Sequence, residues 1–186
     1  MIVNYIKMKN TLKIMMLALL AFGMMACGEK KVTQEDLKAA EATLFNEDHS
    51  VNKETAPQVA EKYCLFVKQN PNDSTAPRWL YNAMEINVLM GKSDKSIELG
   101  DQLMADYPQS PWAPMSLFLL ASYVYNDQLN DTAQAHVTFQ RLIDTYPDHE
   151  LVDDAKKSIE YLGLTPEEIM ARIMMTQMEE GGMFEE

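Results

Sequence analysis

The chain reads as an all-α protein, an array of antiparallel helix pairs with about eight helices. Three observations predict this. Apolar residues recur at a spacing close to 3.6 along most of the chain. Proline and glycine punctuate every connection. Three helix-pair endings look alike: Lys68-Gln69-Asn70-Pro71, Ala105-Asp106-Tyr107-Pro108 and Asp144-Thr145-Tyr146-Pro147, at spacings of 37 and 39 residues. No segment competes as a strand.

In chain order, Thr33-Gln34-Glu35-Asp36 has the form of a capping box, with an acidic residue three after the threonine. Leu37, Ala40 and Leu44 follow at helical spacing, and Asn46 to Lys53 is a polar loop. A second helix begins near Glu54, with Val59, Ala60, Tyr63, Phe66 and Val67 on one face, and stops before Asn70-Pro71-Asn72-Asp73. A third starts at Ala76-Pro77, where a first-turn proline costs no helical hydrogen bond. It buries Leu80, Ala83, Met84 and Val88 and ends at Gly91. A fourth spans Asp94 to Tyr107, with Ile97, Leu103 and Met104 inward and Pro108 closing it. Gly100 inside that helix costs about 1 kcal/mol against alanine unless close packing recovers it, so two helices are expected to approach closely there.

Ser110-Pro111 opens a fifth, strongly apolar helix over Trp112 to Tyr125, expected to be covered on more than one side. Asn126 to Asn130 reads as a loop. Thr132 to Tyr146 is a sixth helix, with Val137, Phe139, Leu142 and Ile143. Leu151, Ala155, Ile159 and Leu162 make a seventh, ended by Gly163. Thr165-Pro166-Glu167-Glu168 starts an eighth, with proline at the first helical position and carboxylates in the first turn. Ile169, Ile173 and the methionines at 170, 174, 175 and 178 give that helix an apolar stripe. It serves either as a cap packed on the array or as an adaptable surface for a partner.

The recurring endings match the period of a helix-turn-helix repeat unit that cannot bury its apolar face alone. In Asp106-Tyr107-Pro108-Gln109-Ser110 and Asp144-Thr145-Tyr146-Pro147-Asp148, with Gln140-Arg141-Leu142-Ile143 before the latter, the chain resembles tetratricopeptide-repeat proteins. The likeness is to the subgroup whose repeats end in Tyr-Pro, and it covers roughly residues 54 to 165. It implies a right-handed superhelix of helix pairs. Periplasmic lipoproteins of the outer-membrane barrel-assembly machinery and the coordinator of the Tol-Pal system share this style. The chain departs from the pattern in its longer repeats, in Ser96 where alanine is usual, and in Gly100.

Upstream, Lys7, Lys9 and Lys13 precede an apolar stretch from Ile14 to Ala26 that ends in Met24-Met25-Ala26-Cys27. At about thirteen residues this stretch is too short to span a bilayer and has the form of a secretory signal. It resembles the lipobox of bacterial lipoproteins, whose cysteine is lipidated and becomes the new N-terminus. An ordinary signal cut nearby, with Cys27 incidental, is the alternative. The expected organisation is a signal peptide at 1–26, a lipidated N-terminus and tether at 27–32, the repeat domain at 33–179 and a loose acidic tail at 180–186. The resemblance implies several acyl chains on Cys27, palmitate among them. Gly28, where an aspartate would imply inner-membrane retention in that family, favours the outer membrane, and the expected placement faces the periplasm.

Loss of the leader removes three of the 16 basic residues and none of the 28 acidic ones, so the mature chain carries a net −15. That charge repels nucleic acid and anionic membrane surfaces. With Cys27 lipidated, Cys64 has no disulfide partner and reads as a small apolar helix residue.

No catalytic constellation is present. His49, His136 and His149 lack zinc-ligand spacing, and Asp148-His149-Glu150 lies in an expected turn. There is no phosphate-binding glycine loop and no nucleophile elbow. The expectation is no enzyme activity, no metal and no cofactor. Asp73-Ser74-Thr75 and Asp131-Thr132-Ala133 resemble a short O-glycosylation acceptor of the Bacteroidetes, though Asp131 could simply cap a helix.

Two functions follow as expectations. The first is a lipid-tethered scaffold that binds an envelope protein or peptide, in outer-membrane assembly or maintenance. Trp79, Tyr81, Trp112, Tyr123 and Tyr125 are candidates for its binding surface, although packing roles serve most of them equally well. The second is a binder of envelope ligands such as glycans or peptidoglycan fragments.

Overall fold

A computed structural model describes residues 30–181. Among these residues every regular element is helical: α1 (Gln34–Glu41), α2 (Ala56–Gln69), α3 (Ala76–Leu89), α4 (Ser93–Asp106), α5 (Trp112–Leu119) continued by a π-helical segment (Leu120–Gln128), α6 (Thr132–Thr145), α7 (Leu151–Tyr161) and α8 (Pro166–Gly181). The only β-type pairing among them is an isolated bridge between Phe45 and Val51 in the first loop. The signal peptide, Cys27 and nearly all of the expected acidic tail lie outside the described residues. The helical-pair architecture expected from the sequence is the one found.

Local signals act where they were read. Thr33 and Asp36 form a reciprocal capping box, the Thr33 amide donating to Asp36 Oδ2 at 2.9 Å and the Asp36 amide to Thr33 Oγ1 at 3.2 Å. Val32, expected in the tether, instead belongs to the fold: its side chain is buried and its amide donates to Gln69 Oε1 at 2.8 Å. Pro77 stands in the first turn of α3 as read, and α2 starts at Ala56, two residues after the expected Glu54, with Pro57 in its first turn. Asp131 caps α6 by accepting from the Gln134 amide at 3.0 Å.

The fifth helix is covered on more than one side, as expected: it meets α3 and α4 as well as α6 and α7, and it contributes to both halves of the core. The third helix is covered too, burying Trp79, Leu80, Tyr81, Ala83, Met84, Ile86, Asn87 and Val88 against α2, α4 and α5. One expectation needs correction. The fifth helix does not end at Tyr125 before a loop; it continues to Gln128 by winding into the wider π form. Gln128 at its end holds the α3–α4 turn, with Nε2 donating to the Val88 carbonyl at 2.7 Å and Oε1 accepting from Ser93 Oγ at 2.8 Å.

The core has two parts. One gathers residues of α1 to α4 with Leu120 and Val124 of the π segment. The other joins Met104 with Ala113, Leu117, Ala121, Phe139, Leu142, Val152 and Ala155. Gly100 is the point of close approach expected from the sequence. A Cβ there would lie 2.6 Å from Leu120 Cδ1, so glycine is what lets α4 lie this close to Leu120 of the π segment.

The Tyr-Pro endings have a second role beyond stopping helices. Tyr107 Oη donates to the carbonyl of Pro71, one ending earlier, at 2.9 Å. Tyr146 Oη donates to the carbonyl of Pro108 at 2.8 Å. Each tyrosine therefore clasps its repeat to the end of the preceding one.

Candidate interaction surface

The five aromatic candidates separate by position. Trp79 and Tyr81 sit on opposite sides of α3, and both are buried. The Trp79 ring packs on Tyr63 with centroids 4.9 Å apart, and its Nε1 donates to Thr75 Oγ1 at 3.1 Å. Thr75 also accepts from Gln34 Nε2 at 2.7 Å and donates to Asp73 Oδ1 at 2.6 Å, so this cluster ties α1 to the α2–α3 turn. Tyr81 lies against Trp112 of the next pair, centroids 5.2 Å apart. Burial, with a smaller contribution from Glu85, pushes its hydroxyl up to about 12. These rings glue repeats together and leave no face for a ligand on Trp79 or Tyr81. Trp112 and Tyr125 are half-buried against the first core.

Tyr123 is different. Its side chain is 52% exposed, and it lines an open cleft of about 600 Å³ between the π segment, α6 and the α7–α8 corner. Asn126, Asn130, Tyr161, Leu164 and Ile169 line the same cleft. The π segment forms its wall, and the positive φ of Asn130 (51°) turns the chain from that wall into α6. Sequence reasoning missed the π segment because Leu120 to Tyr125 fit an α-helix and the polar Asn126-Asp127-Gln128 read as loop.

The apolar stripe of α8 is only partly used. Ile169 and Ile173 are half-buried, while Met170, Met174, Met175 and Met178 are all more than half exposed. A cap packed on the array would have covered these methionines.

The remaining candidates have local roles. Cys64 is half-buried on α2, and burial pushes its thiol pKa up, away from the reactive thiolate. His149 Nδ1 accepts from the Leu151 amide at 3.2 Å at the start of α7. Among the described residues no three His, Cys, Asp or Glu side chains come together to hold a metal ion. No helix of the described residues is long and apolar enough to cross a membrane. Ser74 is exposed in the α2–α3 turn, while Thr132 is half-buried at the first position of α6. Asp73 is engaged with the amide and hydroxyl of Thr75, which hold its carboxyl below the usual range.

A family model described as "Tetratricopeptide repeat" matches residues 116–149, which run from α5 through the π segment and α6 to the turn after Tyr146-Pro147. A search of curated proteins returns no match. The matched stretch ends on the second Tyr-Pro clasp and contains the wall of the cleft. With that match set in an all-helical array of pairs, the chain has a tetratricopeptide-like helical fold, of a kind that typically serves as a non-catalytic scaffold for protein–protein interaction.

Proposed function

We propose that this protein is a lipid-anchored, tetratricopeptide-like scaffold that binds an envelope protein or peptide at the bacterial outer membrane, facing the periplasm. Cys27 carries the anchor, and the protein itself catalyses nothing. The observation that carries the interaction role is the repeat match across α5 and α6, in an array whose Tyr123 rim and α8 methionines are left exposed by the described residues. The lipobox-like Met24-Met25-Ala26-Cys27 supports the anchor, since a lipid is the simplest way to hold an acidic chain at a membrane whose anionic groups would repel it. The barrel-assembly and Tol-Pal resemblance supports a role in outer-membrane assembly or maintenance.

Fractionation of cells carrying Cys27→Ser tests the anchor: the variant should leave the membrane fraction. Chemical crosslinking in intact cells tests the scaffold, which requires at least one reproducible envelope protein adduct. The same cleft favours a second reading. Tyr123 and Tyr161 offer aromatic faces beside the amides of Asn126 and Asn130, a combination suited to a glycan or peptidoglycan fragment. Glycan-array binding lost in Asn126→Ala would favour that reading over the scaffold.

A further inference from the structure

Around α8, Met170, Met174 and Met178 form one stripe, with Ile169 and Ile173 along one edge and Met175 beyond the other. The helix is held mainly at its root. Thr165 and Glu168 cap each other, Arg172 donates to the Glu160 carbonyl at 2.6 Å, and Ile169 lines the cleft. The methionines beyond are 54–77% exposed. Thioether side chains are flexible and polarizable, and they fit irregular apolar partners well.

Charge decides between the possible occupants. From Glu150 to Glu186 the sequence has ten acidic residues and three basic ones, and the single basic residue on α8, Arg172, is committed to Glu160. A helix that lies in a lipid surface carries lysine and arginine on its polar face, whereas α8 carries glutamate. A second copy would bring like charge against like. A helix with an apolar stripe and basic flanks complements both the methionines and the acidic surroundings. We propose that α8, together with the cleft at its root, docks a basic amphipathic helix of a partner protein. This rests on the scaffold reading above and names the chemistry of the partner.

The test uses the chain from position 27 with Cys27→Ser, which keeps the compact unit that begins at Val32 intact. The probe is a fluorescent leucine–lysine peptide of about five helical turns, compared with its leucine–glutamate counterpart. By anisotropy the lysine peptide should bind at least about tenfold more tightly than the glutamate one. The charge-neutral triple substitution Met170→Gln, Met174→Gln and Met178→Gln should weaken the lysine peptide by about tenfold or more and leave the melting curve in place. Equal binding to the triple variant would mean that only net charge attracts the peptide, and would overturn the proposal. No binding at all would also overturn it, as would tighter binding to phosphatidylethanolamine–phosphatidylglycerol vesicles or a dimer that the triple variant dissolves. Envelope adducts still captured in cells after such a failure would leave the scaffold reading standing.

Discussion

The tyrosine clasps allow a prediction whose size follows from geometry. Tyr107→Phe and Tyr146→Phe each remove one hydroxyl and keep the ring that packs on the core. The bonds are 2.9 and 2.8 Å long, direct and unstrained, but both lie where water can replace them. A neutral hydrogen bond contributes about 0.5–1.5 kcal/mol net, and solvent access places these in the lower half of that range. The two clasps sit in successive repeats and share no partner, so their effects should add, to about 1–2 kcal/mol in the double variant. For a chain of this size about 1 kcal/mol moves the melting temperature by roughly 2–4 °C. The double variant should therefore melt about 2–8 °C lower by far-UV circular dichroism, with each single variant near half the shift. A double variant that melts with the wild type would refute the clasp, and Tyr-Pro would then be a helix stop and nothing more.

Further outcomes follow from the same packing. Gly100→Ala should destabilise the fold even though alanine is favoured in helices by about 1 kcal/mol. The new Cβ would lie 2.6 Å from Leu120 Cδ1, and overpacking a filled core costs about 1–3 kcal/mol. A higher denaturant midpoint than wild type would show that Leu120 moves aside freely. Tyr81 sits in the core with its hydroxyl raised by burial from 10.0 to about 12, so it favours the folded state fully below the unfolded value. That contribution is lost as pH climbs from about 10 toward 12. Tyr81→Phe should flatten the alkaline fall in the urea midpoint, and an unchanged slope would count against it. Thr75→Val should loosen the junction of α1 with the α2–α3 turn, because Gln34, Asp73 and Trp79 all lose their shared hydroxyl. Faster hydrogen exchange confined to α1 and that turn is the expected signature, and uniform protection would contradict it.

Much of this fold was legible in the chain because its signals are local. Thr33 and Asp36 cap each other across three residues, Pro77 sets a helix start, and Gly100 marked a contact through its cost alone. What was hidden depends on partners far along the chain. Tyr107 reads as the end of a helix, yet its hydroxyl partner is Pro71, 36 residues away. Trp79 and Tyr81 read as aromatic surface or as core with equal ease, until α2 on one side and Trp112 on the other are in place. The π segment was hidden as well: Leu120, Ala121 and Val124 keep an apolar spacing that fits an α-helix, and Asn126 to Gln128 look like loop. The stripe on α8 was visible, but only the packed structure tells a covered stripe from an open one.

The most direct test of the scaffold is a photocrosslinking amino acid at Tyr123, on the cleft rim, in growing cells. The account predicts a discrete adduct with an envelope protein, weakened when Cys27→Ser releases the chain from the membrane. Adducts only with glycan, or none above the level seen from a site outside the cleft such as Lys62 on α2, would contradict it.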